Sequence, residues 1–320
     1  MARGERLRIV AAVLRDQDGR ILVSTRPAGR SMSGRWEFPG GKREPGEGRW
    51  AALVRELSEE LDLHLVEGRP LIRIQHDYPD GPAVDLDVWL VTAWEGAPRA
   101  LEGQQFDWFA PEALSRLDFL AANTPIVTAA RLPDRYLVTP PDFARLEDLV
   151  AGVEAAARRG ISLIQLRGDW LRQSGGQVAA KEAVARARAA GASVLINGDP
   201  GLAEKCQADG VHLPARLAAG LESRPVVRPG LVGVSCHDEA ELRHAEALGA
   251  DFVTLGHVRP TPSHPGAEPL GMDRFLALAG SASLPVYAIG GMGVADLPAL
   301  HQQSIQGIAA IRGLGRQLFA

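Results

Sequence analysis

The chain has 320 residues, of which 46% are hydrophobic and 23% charged, and its formal net charge is -4. This length predicts two domains with ordinary cores, and the slightly acidic balance argues against direct nucleic-acid binding. No apolar run reaches membrane-spanning length, and Ile9–Leu14 is too short for a signal peptide. The only cysteines, Cys206 and Cys236, exclude a disulfide framework. We therefore expect a cytoplasmic protein that acts on free small molecules.

Apolar runs bounded by turn residues predict five strands and two helices in the first part of the chain. The predicted strands are Leu7–Leu14, Ile21–Thr25, Leu71–His76, Val84–Trp94 and Glu102–Phe109. Turns are predicted at Asp16-Gln17-Asp18-Gly19 and Pro79-Asp80-Gly81-Pro82. The predicted helices are Pro111–Leu117, which starts with proline, and Asn123–Ala130.

The stretch Gly41–Leu63 reads as a loop followed by a helix that carries clustered carboxylates. Good helix formers begin at Trp50, and an apolar stripe recurs at helical spacing. Glu56, Glu59 and Glu60 lie at i, i+3 and i+4, so they share the adjoining face. Such carboxylates would repel one another unless a hard divalent cation, Mg²⁺ or Mn²⁺, is bound between them. An amphipathic surface helix with a solvated acidic face is the alternative.

This stretch resembles the Nudix hydrolase box, in which glycine and glutamate precede an Arg-Glu helix at fixed spacing. The matching residues are Gly41, Glu47, Arg55, Glu56, Leu57, Glu59, Glu60 and Leu63. Asp62 stands where the family has glycine, and aspartate also tolerates the left-handed conformation of a helix end. The resemblance implies catalytic roles for Arg55 and the three glutamates and an ion pair between Glu47 and Arg55. It implies that a Mg²⁺ or Mn²⁺ cofactor is held by Gly40, Glu56, Glu59 and Glu60.

Segments around the box resemble the MutT-type 8-oxo-dGTP diphosphatases over nearly the whole first domain. These segments are Trp36–Gly41, Pro79-Asp80, Trp94-Glu95-Gly96, Glu102-Gly103-Gln104 and Ala122-Asn123-Thr124-Pro125. The resemblance implies an α/β/α sandwich with a mixed sheet over residues 1–131. It also implies hydrolysis of 8-oxo-dGTP to 8-oxo-dGMP and pyrophosphate.

The same resemblance assigns roles to five residues outside the metal site. Asn123 would hydrogen-bond the oxidised purine, since a carboxamide offers both a donor and an acceptor. Glu102 would be a further catalytic acid near the metal. Phe38 and Tyr78 would line the base pocket, and Lys42 would contact a phosphate. Each also has a simpler explanation: a helix N-cap for Asn123, solvated loop positions for Glu102 and Lys42, and core packing for the aromatics.

After Arg131–Arg135 the pattern changes, and short apolar strands alternate with helical runs. Eight such units within residues 135–320 predict a compact (β/α)8 TIM barrel. The predicted strands are Tyr136–Val138, Leu163–Leu166, Val194–Ile196, Gly210–Leu213, Leu231–Val234, Phe252–Leu255, Val286–Ile289 and Gly307–Ala310. The helical runs between them include Leu146–Arg159, Val178–Ala190, Glu239–Leu248 and Arg274–Ala279.

Motifs at the predicted strand ends resemble thiamine phosphate synthase and its relative, the thiazole tautomerase TenI. They are Tyr136–Thr139, Gln165–Arg167, Ile196–Gly198, Asp209–His212, Gly233–His237, Gly256–Val258 and Ile289–Met292. The resemblance places a ligand site at the C-terminal strand ends, with Arg167, Gly290, Gly291 and Gly313 as substrate-binding residues. His237 would be the catalytic acid or base, or alternatively a helix-start histidine without a catalytic role.

Three positions depart from the synthase pattern. Gly198 and Leu217 stand where synthases have aspartates that bind Mg²⁺, and Asp169 replaces a lysine that contacts the diphosphate. These departures predict that the barrel does not make thiamine phosphate. They favour instead a thiazole phosphate-like ligand that is held without metal.

Three interpretations of the whole chain remain open at this point. The first is a hydrolase of oxidised nucleotides fused to a barrel of separate function. The second is hydrolysis of a thiamine-pathway pyrophosphate, coupled to a tautomerase-like or non-catalytic phosphate-binding barrel. The third makes the barrel a ligand-binding or dimerising module only. The sequence does not fix the oligomeric state, and a homo-oligomer is compatible with it.

Overall fold

The computed structural model describes residues 6–26, 29, 32–78, 81–141, 143–263, 266–315 and 318–319. The chain divides into two units, Met1–Arg131 with His301–Ser304 and Leu132–Leu300 with Ile305–Ala320. Pro79 and Asp80, which the MutT resemblance singled out, lie outside the described residues. Within the described part of the chain, no helix is long and apolar enough to cross a membrane.

The first unit is built on a mixed sheet of seven strands. They are β1 (Leu7–Arg15), β2 (Ile21–Thr25), β3 (Trp36–Glu37), β4 (Gly40–Lys42), β5 (His64–Asp77), β6 (Ala83–Glu95) and β7 (Phe106–Phe109). The order is β3-β2-β1-β6-β5, and β4 pairs with β1 while β7 pairs with β2. Strands β1 and β6 run parallel, and the other pairs are antiparallel.

Helices cover both faces of this sheet, so the predicted α/β/α sandwich is confirmed. They are α1 (Arg49–Leu61) and α2 (Thr124–Arg131). Successive residues of β1 point to opposite faces. Val10 packs in the core that α1 shares, and Ala11 packs in the core that α2 shares. Two 3₁₀ helices, Pro111–Arg116 and Ala121–Asn123, lead into α2, and the first replaces the predicted helix Pro111–Leu117.

Helix α1 ends as the sequence predicted. Asp62 follows its last residue with φ 58° and ψ 36°, in the left-handed region. The backbone N–H of Asp62 donates to the carbonyl oxygen of Ser58 at 3.1 Å. Aspartate therefore fills the position that glycine usually takes at a helix end.

The second unit is a closed barrel of eight parallel strands. They are β8 (Arg135–Val138), β9 (Leu163–Leu166), β10 (Ser193–Asn197), β11 (Gly210–Leu213), β12 (Leu231–Cys236), β13 (Phe252–Gly256), β14 (Val286–Ile289) and β15 (Gly307–Ala310). Its helices are α3 (Leu146–Arg158), α4 (Gly176–Ala189), α5 (Pro200–Lys205), α6 (Ala215–Ala218), α7 (Glu239–Leu248), α8 (Gly271–Ala279), α9 (Leu297–Gln302) and α10 (Arg312–Gly315). The predicted barrel is confirmed.

Aromatic side chains fill the barrel interior, and the segment that precedes β8 belongs to the same core. Tyr136 packs edge-to-face on Phe252, with ring centroids 5.3 Å apart. Leu132 joins this buried cluster. The carbonyl oxygen of Leu132 accepts a hydrogen bond from Gln306 Nε2 at 2.9 Å, and that of Pro133 accepts one from the Tyr287 hydroxyl at 2.5 Å. Side chains of the barrel thus hold the incoming backbone.

Candidate functional site

Two glycines let β4 pass close to its neighbours in the first unit. A Cβ on Gly40, whose φ is 145°, would stand 2.2 Å from the carbonyl oxygen of Val10. A Cβ on Gly41 would stand 2.1 Å from Glu56 Oε2. Any larger residue at either position would push β4 away from β1 or displace the Glu56 carboxylate.

Arg55 organises the carboxylates of the loop and of α1. Its Nε and Nη2 donate to the two oxygens of Glu47 at 3.0 and 3.1 Å, a bidentate pair. Its Nη1 donates to Glu56 Oε1 at 2.9 Å and to Glu59 Oε2 at 3.1 Å. The hydrogen bond to Glu47 is the main reason that the pKa of Arg55 is raised and that of Glu47 lowered. The predicted Glu47–Arg55 ion pair is therefore present in the structure.

Glu60 and Glu56 are partly buried carboxylates, and burial disfavours their charged forms. Glu60 Oε2 accepts one hydrogen bond, from the backbone N–H of Gly40 at 3.0 Å. Burial raises the pKa of Glu60 to about 8, and the negative charges of Glu102, Glu37 and Glu56 add to the effect. Burial also raises the pKa of Glu56, against the opposing hydrogen bond from Arg55.

This donor set fits a hard divalent cation. Mg²⁺ and Mn²⁺ take oxygen ligands, and a cation would relieve the burial and mutual repulsion of these carboxylates. Among the described residues, no three His, Cys, Asp or Glu side chains form a preformed metal-binding group. The reason is visible in the contacts, since Glu56 faces Arg55 and Glu60 faces the Gly40 N–H. In these contacts Glu56 uses Oε1 and Glu60 uses Oε2, so the second oxygen of each carboxylate could meet a cation while Arg55 and the Gly40 N–H hold the first.

Asn123 lies beside Phe38 in the core between the sheet and α2. Its side chain is 5% exposed, and its Oδ1 accepts a hydrogen bond from the Phe38 N–H at 3.3 Å. Phe38 stacks on Phe119, with ring centroids 5.4 Å apart. The helix α2 begins at Thr124, and Asn123 is the last residue of the preceding 3₁₀ helix. Its side chain thus ties the segment between β3 and β4 to α2, and among the described residues its amide N–H groups have no hydrogen-bond partner.

Three other predicted residues have looser surroundings. Tyr78 is half-buried, and burial raises its pKa while a hydrogen bond to the Ala122 backbone opposes the shift. Glu102 lies before β7 rather than in it, exposed but close enough to raise the pKa of Glu60 and Glu56 by repulsion. Lys42 is exposed at the end of β4, and its carbonyl oxygen accepts a hydrogen bond from Arg55.

In the second unit, a cavity of about 780 Å³ opens at the C-terminal ends of the barrel strands. All five residues predicted for this unit line it: Arg167, His237, Gly290, Gly291 and Gly313. Gly290 and Gly291 follow β14 with φ 96° and 68°. A Cβ on Gly290 would stand 2.4 Å from His257 Cβ, and one on Gly313 would stand 2.4 Å from the Met292 carbonyl oxygen. Only glycine lets these loops meet and present backbone to the cavity.

Positive charge predominates around this cavity. The lining contains four arginines against two carboxylates: Arg167, Arg172, Arg216 and Arg312 against Asp169 and Asp199. Asp199 is already engaged, because its Oδ1 accepts the Leu202 N–H as the N-cap of α5. Within the described ranges, none of the four guanidinium groups forms an ion pair with a carboxylate. The cavity is therefore suited to an anionic ligand.

His237 lies at the cavity rim, directly before Asp238, the N-cap of α7. Its side chain is 55% exposed, and its Nδ1 is 2.8 Å from Glu241 Oε2. The same Glu241 oxygen accepts the backbone N–H of His237 at 2.7 Å. Glu241 therefore orients the ring, and within the described ranges Nε2 has no hydrogen-bond partner.

Comparison with known proteins agrees with this division of the chain. Residues 10–129 match the NUDIX domain model, and residues 135–314, more than half of the chain, match the thiamine monophosphate synthase model. The chain joins a NUDIX domain to a domain of the thiamine monophosphate synthase family.

Curated relatives exist for each domain separately. The NUDIX domain is 35% identical over 123 residues to 8-oxo-dGTP diphosphatase of Escherichia coli, covering 38% of the chain and 95% of that protein. It is 37% identical over 123 residues to CTP pyrophosphohydrolase of the same organism, covering 38% of the chain and 90% of that protein. The synthase-family domain is 33% identical over 189 residues to thiamine-phosphate synthase of Thioalkalivibrio sulfidiphilus, covering 58% of the chain and 90% of that protein.

The Mg²⁺ ligands that the synthase resemblance implies do not fit this cavity. Gly198, with φ 75°, and Leu217 both line it, and they face each other. Leu217 Cδ1 lies 3.3 Å from the place where a Cβ on Gly198 would stand. An isobutyl group and a bare backbone offer a metal no carboxylate oxygen.

The sequence analysis missed a buried polar chain inside the synthase-family domain. Tyr136, His212, Ser235 and Thr254 come from four different strands and are joined by hydrogen bonds. Tyr136, His212 and Ser235 lie in motifs that carry the resemblance, and Thr254 lies only in a predicted strand, but none of the four had a predicted role. Tyr136 and His212 are 76 residues apart in the sequence, so no local sequence pattern indicates that they are hydrogen-bonded.

Proposed function

We propose that the NUDIX domain hydrolyses 8-oxo-dGTP to 8-oxo-dGMP and pyrophosphate with Mg²⁺ or Mn²⁺. The observation that carries this substrate is the buried Asn123, whose Oδ1 is fixed by the Phe38 N–H. In the part of the chain that the structure describes, its two amide N–H groups bond to no other residue, and 8-oxo-guanine carries one more carbonyl acceptor than guanine. Identity to an 8-oxo-dGTP diphosphatase over almost its whole length supports the same substrate.

In this proposal the residues of the chain bind, orient and exchange protons around the diphosphate. Gly40, Glu56, Glu59 and Glu60 would hold the cation, which supplies a Lewis acid and a bound water of lowered pKa. Arg55 fixes the rotamers of Glu56 and Glu59 through its bond to Glu47. Glu102 stands near Glu56 and Glu60 as a further carboxylate that can accept a proton from water.

The test is a pyrophosphate-release screen on the full-length chain. The substrates are 8-oxo-dGTP, dGTP, CTP and thiamine-pathway diphosphates, each with and without Mg²⁺. We expect kcat/KM to be highest for 8-oxo-dGTP and turnover to stop without the cation. Equal kcat/KM for 8-oxo-dGTP and dGTP would reject the proposed substrate.

A second candidate substrate, a thiamine-pathway pyrophosphate, is favoured by one observation. The NUDIX domain shares its chain with a thiamine monophosphate synthase-family domain, which would bring two steps of one pathway together. In the same screen, a thiamine-pathway diphosphate with the highest kcat/KM would select this function. The CTP arm tests the substrate that the name of the other relative gives, CTP pyrophosphohydrolase.

For the barrel, we propose a metal-free site for a thiazole phosphate-like ligand. The support is the unpaired arginines, the glycine loops after β14 and β15, and the apolar Gly198–Leu217 contact at the expected metal position. Backbone N–H groups and guanidinium groups bind a phosphate without a metal. His237, oriented by Glu241, would then move a proton on the bound ligand.

This proposal is tested by calorimetry of thiazole phosphate with the full-length chain in the presence of a chelator. Binding without metal, and a tautomerisation rate that drops in His237→Ala, are the expected results. Efficient thiamine phosphate synthesis by the chain would overturn the proposal. Binding without any catalysed change would leave the domain as a phosphate-binding module.

A further inference from the structure

A chain of hydrogen bonds crosses the barrel beneath the cavity. The Tyr136 hydroxyl is 3.1 Å from His212 Nδ1, and His212 Nε2 is 2.9 Å from Ser235 Oγ. Thr254 Oγ1 donates to the same Ser235 oxygen at 3.5 Å. Tyr136 is fully buried, and His212 and Thr254, each 2% exposed, lie at the cavity wall together with Ser235. Ser235 is partly exposed and is therefore the member that a ligand reaches most readily.

The direction of each hydrogen bond follows from counting donors and acceptors. Burial raises the pKa of Tyr136 well above its ordinary value, so its hydroxyl keeps a proton that needs an acceptor. In the described part of the chain, His212 Nδ1 is the only partner of that hydroxyl. Tyr136 therefore donates, and Nδ1 accepts.

The proton of the imidazole must then sit on the other nitrogen. Burial lowers the pKa of His212 to about 3, so the ring is neutral and carries one N–H. With Nδ1 occupied as an acceptor, that N–H is on Nε2 and donates to Ser235 Oγ. Ser235 Oγ thus accepts from His212 at 2.9 Å, and the Thr254 hydroxyl, 3.5 Å away, is a more distant and weaker neighbour.

We infer that Tyr136 and His212 are positioning residues that hold Ser235 as a hydrogen-bond donor aimed into the cavity. Because His212 Nε2 already carries a proton, Ser235 cannot donate to it, and the Ser235 hydroxyl proton can turn toward the cavity instead. Ser235 thus recognises an acceptor oxygen of the ligand, and beside four arginines that oxygen belongs to a phosphate or carboxylate. This ligand class rests on the proposed function of the barrel.

These donor and acceptor assignments show that Ser235 is not arranged as a serine nucleophile. A serine that attacks a substrate needs a neighbouring base with a free lone pair to take its proton. Because His212 Nε2 carries a proton, it has no lone pair with which to accept the hydroxyl proton of Ser235. The distance of 2.9 Å between His212 Nε2 and Ser235 Oγ is that of a nucleophile–base pair. In this pair, however, the histidine donates the hydrogen bond and the serine accepts it.

The deciding experiment is ¹⁵N NMR of the full-length chain labelled at histidine. The His212 signals, identified by their loss in His212→Gln, should show an unprotonated Nδ1 and a protonated Nε2 in the ligand-free protein. Tyr136→Phe removes the donor to Nδ1 and should let the Nδ1–H tautomer appear. Tyr287→Phe is the matched control, because this buried hydroxyl donates to the Pro133 carbonyl and does not touch His212.

An Nδ1–H tautomer in the unaltered chain would overturn the inference, and so would covalent labelling of Ser235 by a fluorophosphonate. A second arm measures thiazole phosphate binding by calorimetry. Ser235→Ala should weaken binding about tenfold, and Ser235→Thr, which keeps a hydroxyl, should weaken it less. If thiazole phosphate does not bind at all, the proposed ligand fails. The tautomer measurement, made without ligand, still decides the polarity of Ser235.

Discussion

Leu217 covers Gly198 at the mouth of the barrel, with its Cδ1 3.3 Å from the position of a Cβ on residue 198. The two positions at which the synthase pattern places metal-binding aspartates thus touch through an apolar contact. Neighbouring residues on different loops would be able to share one cation if both carried carboxylates.

This contact predicts that two substitutions together would create a metal site. Gly198→Asp with Leu217→Asp, made in a Glu60→Gln background to silence the NUDIX site, should make pyrophosphate binding depend on Mg²⁺. Calorimetry with and without Mg²⁺ measures the change. The Gly198→Asp single variant is the control and should show no such dependence. Mg²⁺-dependent binding in the Glu60→Gln parent would contradict the prediction.

Glu60→Gln should stabilise the metal-free NUDIX domain while removing its activity. The folded-state pKa of Glu60, about 8, lies above its ordinary value of 4.5. The stability that this group contributes is therefore present at low pH and is lost as pH rises toward 8. Glutamine carries no charge, so metal-free Tm near pH 8 should rise by about 3 °C or more. Turnover should fall by orders of magnitude, and Mg²⁺ should no longer shift Tm. An unchanged Mg²⁺ shift would place the metal elsewhere.

Arg55→Lys should impair catalysis although it keeps the charge. Lysine cannot form the bidentate bond to Glu47 and at the same time bond Glu56 and Glu59. We expect Mg²⁺ affinity to fall about 10- to 100-fold, as when a residue that orients a metal ligand is removed. Arg49→Lys is the matched control. Arg49 lies on the same helix as Arg55 and also pairs with a carboxylate, that of Asp87 on β6. Equal losses in both variants would assign Arg55 a role in stability only.

Asn123→Ala should reduce the preference for 8-oxo-dGTP over dGTP more than it reduces turnover of dGTP. A site that pairs with one polar edge of a base discriminates by that pairing. The measurement is the ratio of the two kcat/KM values. Lys42→Ala provides the comparison: a phosphate contact is common to both substrates, so the ratio should stay constant. Loss of the ratio in Lys42→Ala and not in Asn123→Ala would contradict the assignment.

Acid should destabilise the barrel through His212. Its folded-state pKa, about 3, is below its ordinary value of 6.5, because burial disfavours the charged ring. Stability is therefore complete above about pH 6.5 and is lost as pH falls toward 3, by up to about 1.4 kcal/mol per pH unit. Chemical unfolding between these pH values should show a weaker pH dependence in His212→Gln. An identical dependence in both proteins would mean that His212 is protonated in the folded barrel.

Local patterns accounted for most of the fold. The limits of β9, β11, β14 and β15 agree with the predicted strands, since buried parallel strands are short apolar runs with sharp ends. The first half of β5 was missed because Gly68 and Pro70 interrupt it. The structure accommodates both residues where the pairing register with β6 shifts. Strand β4, only three residues long, has no periodicity from which to predict it.

From spacing alone, a candidate site was predictable only where its residues are close in sequence, whereas the distant residues of the barrel cavity were indicated by family resemblance. Glu56, Glu59 and Glu60 share one helix, so spacing alone places them together. The bond of Asn123 to Phe38 spans 85 residues, and only the MutT resemblance indicated that the two share a pocket. The sequence did not indicate that Arg172 and Arg216 line the cavity without a carboxylate partner, because a sequence does not show which side chains lie opposite an arginine.

The hydrogen bonds that hold Leu132 and Pro133 set the limit at which this chain can be cut. A recombinant barrel that starts at the first strand residue, Arg135, would lose the Leu132 side chain from its interior. It would also remove the carbonyl groups that accept hydrogen bonds from the Gln306 amide and from the Tyr287 hydroxyl. Buried donors that lose their acceptors are costly. We therefore expect the shortest stable barrel to begin at or before Leu132, and a cut between the two units to be tolerated only upstream of that residue.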